Sequence, residues 1–140
     1  MKILFAADGS SFTQKALEFL VGHKNMLGSE DELVVLHVQD AISAQIEHKL
    51  GSEDVTAYQA KQADEVLKPI KEFLDKHAVK HRCLWAAGAA DGQIIEASKR
   101  EGVHMIVMGT HGHGLLSRMF MGSVAQNVLA ESEIPVLLVK

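Results

Sequence analysis

The sequence contains very little cysteine and no long hydrophobic run, and these two absences exclude several classes of protein. Cys83 is the only cysteine among 140 residues, so the chain can form neither an intrachain disulfide nor a cysteine-based zinc site. No apolar run approaches the roughly 18 residues that cross a membrane. The first apolar run meets Asp8 at once and is too short for the core of a signal peptide. We therefore expect a soluble, cytoplasmic protein with no membrane segment.

Basic residues are also scarce. The chain has 14 Lys and Arg against 18 Asp and Glu, which gives a formal net charge of −4. Because non-specific nucleic-acid binding depends on neutralising phosphates with Lys and Arg, we expect no nucleic-acid partner. The hydrophobic share of 47% lies far above that of disordered chains, and the length suits one compact domain. We expect a single domain over residues 1–140.

Five short apolar runs predict β-strands at residues 3–7, 33–38, 82–87, 103–108 and 136–139. Most are nearly continuous rather than alternating, which is typical of strands buried on both faces of a parallel sheet. Amphipathic stretches with helical spacing lie between them, near residues 12–24, 55–77, 93–100 and 122–132. Alternating strands and helices predict an open parallel α/β sheet with right-handed crossovers.

Local signals refine this outline. Ser11-x-x-Gln14 has the pattern of a capping box at the start of the first helix. Pro69 lies inside the apolar stripe of the second helix, where we expect a kink or a break. Residues 40–54 form one long connection without a firm assignment, in which residues 44–50 are compatible with a short helix.

A glycine-rich segment at residues 109–123 follows the fourth strand and precedes the last helix. Ligands of open α/β sheets bind outside the carboxyl ends of the strands, and helix N-termini favour phosphate. Residues 102–130 contain no Asp or Glu, although Arg118, His104, His111 and His113 lie among them. This pattern favours an anionic ligand. The alternative is an ordinary loop in which Ser123-x-x-Gln126 only caps the helix.

The spacing Gly109-x2-Gly112-x9-Gly122-Ser123 resembles the ATP-binding signature of the universal stress protein family. The opening Ala7-Asp8-Gly9-Ser10 and the ending that contains Val136–Val139 are similar to the first and last strands of that family. The resemblance covers the whole chain. It implies a Rossmann-like fold, an open five-stranded parallel sheet of order 3-2-1-4-5 with helices on both faces.

The resemblance also implies a ligand and an assembly. Members with this signature bind ATP, with or without Mg²⁺, between strands 1 and 4, and they are cytoplasmic stress-response homodimers. By position, Asp8 would lie near the adenine and ribose, and the backbone of Val38 would meet the adenine edge. Met108 and Gly109 would flank the ribose.

The same resemblance assigns the phosphates to three residues. Gly112, Gly122 and Ser123 would hold them through main-chain N–H groups and the serine hydroxyl. An edge strand as apolar as Val136–Val139 also invites pairing with a second copy, which agrees with the homodimer.

Other residues leave alternatives open. Asp8 is either a ribose or magnesium contact or a polar residue that opens the loop before the first helix. His111 and His113 lack the further ligands that a metal site needs, so His111 is either a phosphate neighbour or a solvated side chain. No P-loop, GxGxxG loop or nucleophile elbow occurs. We therefore expect a nucleotide binder with at most slow ATP hydrolysis, and the alternative is a dedicated nucleotide hydrolase or transferase on the same fold.

Overall fold

The computed structural model describes residues 1–23, 25–111 and 121–140. In chain order its strands and helices are β1 Lys2–Ala7, α1 Ser11–Gly22, β2 Glu32–Gln39, α2 Ala44–Leu50, α3 Ser52–Lys76, β3 His81–Ala87, α4 Ala90–Arg100, β4 Met105–Gly109, α5 Ser123–Glu131 and β5 Val136–Val139. The sheet has the order β3-β2-β1-β4-β5, and every pair of neighbours is parallel. The fold expected from the sequence is confirmed.

The sheet has an apolar layer on each face, which explains why its central strands read as continuous apolar runs. Ile3 and Phe5 of β1 pack with α1 and α3, whereas Leu4 between them packs with α4 and α5. The described helices therefore cover both faces of the sheet, and the carboxyl ends of β1, β2 and β4 meet at one open edge. None of the helices in the described ranges is long and apolar enough to cross a membrane.

Three local expectations were wrong. The cap of α1 is Ser10, whose Oγ accepts a hydrogen bond from the Thr13 N–H, because Ser11 has already taken helical geometry. The break expected at Pro69 does not occur, because helix α3 runs through the proline without interruption; the alternative, a kink, stays a prediction. Leu67, Ile70 and Leu74 of α3 are buried against the sheet, so packing around the proline offsets its missing N–H donor.

The third error concerns the start of α5. Its cap is Gly122, which has extended backbone angles (φ −62°, ψ 152°), and no side chain caps the helix. Ser123 is instead the first helical residue, and the Gln126 side chain donates to the Met121 carbonyl at 2.7 Å. The connection of residues 40–54 contains α2 and the first residues of α3, joined at Gly51, whose φ of 84° favours glycine.

An ion cluster links the elements at the opposite end of the sheet, where β2 and β3 begin. Arg82 Nε donates to Glu32 Oε1 at 2.7 Å, and the Arg82 guanidinium also donates to the Glu101 carboxylate. These hydrogen bonds lower the pKa of both Glu32 and Glu101 from their ordinary value of 4.5. A carboxylate with a lowered pKa stabilises the fold above its unfolded pKa, and this contribution is lost as the pH falls through the folded value.

Replacing Arg82 with methionine should lower the free energy of unfolding at neutral pH by about 1 kcal/mol, because the pairs are partly solvated. The difference from the parent protein should shrink as the pH falls below 4.5, where the carboxylates of both proteins become protonated. Urea unfolding across this pH range measures it. Lys99→Met is the control, since Lys99 pairs with Glu133 across 3.9 Å and both side chains are mostly exposed. A difference that persists unchanged in acid would contradict the ion-pair explanation.

Candidate functional site

The open edge of the sheet forms a cleft of about 520 Å³, within the roughly 300–1,000 Å³ typical of small-molecule sites. Its floor is made by the ends of β1, β2 and β4, and the first turns of α4 and α5 form its wall. This edge includes the switch point of the sheet, where the chain order changes direction between β1 and β4. Ligands of doubly wound folds bind at such a point.

Six of the seven residues implicated by the sequence line this one cleft. They are Asp8, Val38, Met108, Gly109, Gly122 and Ser123. Gly112 lies outside the described residues, as do His113 and Arg118. The structure thus brings together residues that are up to 115 positions apart in the chain.

The loop after β1 is organised around Asp8. The Asp8 Oδ1 atom accepts hydrogen bonds from the Ser10 N–H at 2.9 Å and from the Thr13 hydroxyl at 2.8 Å. The intervening Gly9 has a φ of 78°, a conformation that glycine adopts without strain. The structure thus shows the loop-shaping role of Asp8, and because Asp8 also lines the cleft, a contact with ribose or magnesium stays a prediction.

Thr110 joins the end of β4 to the start of α5. Its carbonyl accepts the Gly122 N–H at 2.7 Å, and its own N–H donates to the Val139 carbonyl at 3.0 Å. The cap of α5 is therefore fixed directly beside β4. Because the Gly122 N–H is already bonded, the donors that α5 presents at its tip are the amides of residues 123–125, which have no acceptor within the helix.

Gly109 permits a close approach between β4 and α1. A Cβ atom at this position would lie 2.8 Å from the Phe12 Cβ and 3.3 Å from the His111 carbonyl oxygen. The Phe12 ring also packs against the His111 ring, with centroids 4.8 Å apart. Gly109 is thus required for packing between elements, which is a different role from that of Gly122.

His111 has one polar atom without a partner in the described part of the chain. Its Nδ1 contacts the Thr110 hydroxyl at 2.8 Å, whereas its Nε2 is buried and makes no hydrogen bond there. An unpaired buried polar atom is unfavourable. His111 is one of the residues that line the cleft, so the unpaired nitrogen belongs to a side chain of the candidate site.

Sequence reasoning missed His37, Gln39 and Thr110, all of which line the cleft. His37 is only 6% exposed and its Nδ1 lies 2.7 Å from the Ala7 carbonyl oxygen. One signal was available: His37, Gln39 and Asp40 are polar residues at the end of an otherwise apolar strand. Thr110 had no comparable signal, because its bonds join segments far apart in the chain.

Known proteins are similar to this chain over its full length. The sequence model of the universal stress protein family matches residues 1–140. Universal stress protein YxiE of Bacillus subtilis is 30% identical over 151 residues, covering 99% of this chain and 98% of the relative. Universal stress protein MJ0577 of Methanocaldococcus jannaschii is 27% identical over 154 residues, covering 99% and 94%.

Solved structures show the same fold. The structure of MJ0577 superposes with a TM-score of 0.82 at 28% identity, covering 99% of this chain and 94% of that one. A universal stress protein family protein from Arabidopsis thaliana, solved with AMP bound, has a TM-score of 0.72 at 19% identity, covering 100% and 91%.

Proposed function

Because this chain belongs to the universal stress protein family, we propose that it binds ATP in this cleft and acts in the cytoplasm as a nucleotide-dependent stress-response regulator. The observation that carries the proposal is the tip of α5, which opens into the cleft beside the end of β4. The Arabidopsis relative has AMP bound, which supports an adenine nucleotide as the ligand.

The phosphates would bind at the tip of α5. The amides of residues 123–125 point out of the first turn, and the partial positive charge of a helix N-terminus favours an anion there. Ser123 does not cap the helix through its hydroxyl, so the hydroxyl is a further donor for phosphate. Gly112 would add a main-chain N–H, as the family signature implies.

The base would bind at the β2 side of the cleft. Leu36, Val38 and Ile94 line the cleft there, and α4 packs over β2 and β3. Neighbouring strands lie about 5 Å apart, so a nucleotide across β2, β1 and β4 would place its base, sugar and phosphates over successive strand ends. This arrangement puts Asp8 of the β1 loop beside the sugar.

Any Mg²⁺ would arrive with the nucleotide. In the described ranges no group of three His, Cys, Asp or Glu side chains could hold a metal ion, but Asp8 lines the cleft between the proposed positions of the base and the phosphates. Magnesium is commonly held by one or two carboxylates together with substrate phosphates and water. The residues present fit that manner of binding, and the ion would neutralise phosphate charge.

We expect any ATP hydrolysis by this protein to be slow. Among the described residues that line the cleft there is no Lys or Arg, and rapid phosphoryl transfer needs a cationic clamp and an oriented nucleophile. Turnover near the enzyme range of about 1–10³ s⁻¹ would contradict this and favour a dedicated hydrolase.

Unfolding measured with and without ATP tests the binding itself. At a free ATP concentration near 100 times the Kd, the free energy of unfolding should rise by about 2.7 kcal/mol. No increase at millimolar ATP would contradict the proposal. The same measurements with AMP show how much of the increase in the free energy of unfolding comes from the β- and γ-phosphates.

We propose further that two chains associate through β5. This strand forms an edge of the sheet, and all four of its residues are apolar and only partly buried. An exposed apolar edge strand favours pairing with another strand. Sedimentation equilibrium should give about twice the chain mass of 15.3 kDa, and a single species at the chain mass at micromolar concentrations would contradict the dimer.

A further inference from the structure

The helix α2 buries none of its own side chains. Each of its seven residues is exposed, although the helix lies beside α3. A helix this short is marginal in water by itself, because most helical stability in proteins comes from packing an apolar face. The described part of the chain therefore supplies little of the packing that would stabilise α2.

One side of α2 is apolar. Ile46 is 49% exposed and Leu50 is 57% exposed, and residues four positions apart lie on the same side of a helix. Five large hydrophobic side chains in the described ranges are exposed to about this extent, and three of them, Ile46, Leu50 and Tyr58, belong to α2 and the start of α3. An apolar stripe on one side of a helix is typical of a surface that packs against another element.

Exposed carboxylates flank this stripe. Asp40, Glu47, Glu53 and Asp54 are all exposed, and Lys49 is the only Lys or Arg from Asp40 to Asp54. None of the four carboxylates forms an ion pair with another described residue. A surface of this charge attracts Lys and Arg and repels polyanions such as nucleic acids and anionic membranes.

The proposed dimer leaves α2 uncovered. The neighbouring helix α3 packs over β2 and β3, whereas β5 forms the other edge of the sheet, with β1 and β4 between it and β2. A second sheet joined at β5 would extend away from α2. The surface that covers α2 must therefore come from a different molecule.

We propose that α2 is a docking surface for a basic amphipathic helix of a partner protein. Apolar side chains of that helix would pack on Ile46 and Leu50, and its Lys and Arg residues would face the flanking carboxylates. Docking of an amphipathic helix on an apolar surface is a recurring mode of recognition, and apolar anchors inside a polar rim are its usual anatomy. The proposal goes beyond nucleotide binding and does not depend on it.

The probe for the test is a synthetic peptide of leucine and lysine in amphipathic order, about four helical turns long. It is titrated into the ¹⁵N-labelled full-length protein without nucleotide. We expect saturable binding at micromolar concentrations, with amide shifts centred on residues 44–54. A peptide with glutamate in place of lysine should bind at least about tenfold more weakly, because its charge opposes that of the surface.

Variants on the two sides of α2 locate the contact. Ile46→Ser combined with Leu50→Ser should weaken binding of the leucine–lysine peptide by about tenfold or more, the usual effect of removing interface anchors. Gln45→Ser combined with His48→Ser places two serines on the other side of the same helix and should leave the affinity unchanged. Leu129→Ser removes an apolar side chain that is 48% exposed on α5 and should also have no effect.

Hydrogen exchange adds a readout that non-specific attraction of a cationic peptide would not give. The Glu47 N–H donates to the Ser43 carbonyl at 3.0 Å, and the Gly51 N–H donates to the Glu47 carbonyl at 2.8 Å. At a free peptide concentration about ten times the Kd, these two amides should exchange about tenfold more slowly, because opening of α2 then requires release of the peptide.

Each contrary outcome overturns the proposal and leaves nucleotide binding untouched. Absence of saturable binding, equal binding of the glutamate peptide, or full affinity in the Ile46→Ser and Leu50→Ser double variant would show that α2 does not dock a basic helix. Unchanged exchange at Glu47 and Gly51 in the complex would show the same. If the double variant, but not Leu129→Ser, lowers the mass of the parent assembly in sedimentation equilibrium, a second copy of this chain covers α2 instead of a partner protein.

Discussion

Gly122→Val is expected to abolish ATP binding while the protein remains folded. The residue caps α5 and lines the cleft at the point where the phosphates would approach the helix amides. A branched side chain at this cap would occupy the phosphate path. Hydrogen bonds to a charged group contribute about 1.5–3 kcal/mol each, so the loss of two of them lowers the affinity by at least roughly a hundredfold.

The fold should tolerate this change. The Gly122 backbone is extended, with a φ of −62°, so valine introduces no backbone strain, and the N–H bond to Thr110 is retained. Valine is a poorer cap than glycine, so we expect a loss of about 1 kcal/mol or less in the free energy of unfolding. Calorimetric titration with ATP measures the binding, and thermal unfolding measures the fold.

The matched control is Gly22→Val at the last residue of α1. A Cβ atom there meets no heavy atom within 4 Å, so both binding and stability should stay near those of the parent. Gly122→Ala provides a smaller step at the same cap and should weaken binding less than valine. An unchanged ATP affinity in Gly122→Val would remove the α5 tip as the phosphate site.

Gly109→Ala is expected to act on folding. Its new Cβ atom would lie 2.8 Å from the Phe12 Cβ, closer than two carbon atoms can pack, and the contact is with the base of a side chain on α1, whose inner face packs against the sheet. Either α1 or the end of β4 must move. Inserting one carbon into a packed site of this kind typically lowers stability by about 1–3 kcal/mol, which urea unfolding measures.

The control for this variant is Gly92→Ala on α4, where a Cβ atom meets no heavy atom within 4 Å. Alanine favours the helix over glycine, so this change should leave stability equal or slightly higher. If Gly109→Ala unfolds at the same urea concentration as the parent, the close approach of Phe12 is not a constraint. The assignment of a packing role to Gly109, distinct from the role of Gly122 at the phosphate site, would then be wrong.

The strands were predictable from the sequence because each central strand is buried on both faces, which leaves a continuous apolar run. The family resemblance, rather than that pattern, supplied the order of the sheet. Helix starts were harder to predict. Whether Ser10 or Ser11 caps α1, and whether Gly122 or Ser123 caps α5, depends on the backbone angles of one residue, and several candidate caps stood side by side in the sequence.

The parts of the site that could not be predicted depend on contacts between distant segments. The bond from Gly122 to Thr110 and the bond from His37 to Ala7 exist only once β1, β2, β4 and α5 are assembled. Neither partner carries a local signal of the other. The spacing of the glycines indicated where a ligand would bind, but the division between a packing glycine at 109 and a capping glycine at 122 required the three-dimensional distances.

Titration of the ¹⁵N-labelled protein with ATP, followed by amide NMR shifts, tests the central claim most directly. Saturable shifts should concentrate at the amides of residues 123–125, at the tip of α5, and at residues 38–40, at the end of β2. Such a pattern would locate the phosphates and the base at opposite ends of the cleft. No saturable shifts at millimolar ATP, or shifts centred on the exposed groove at Ala44, Gln45, His48 and Lys49 of α2, would contradict the account.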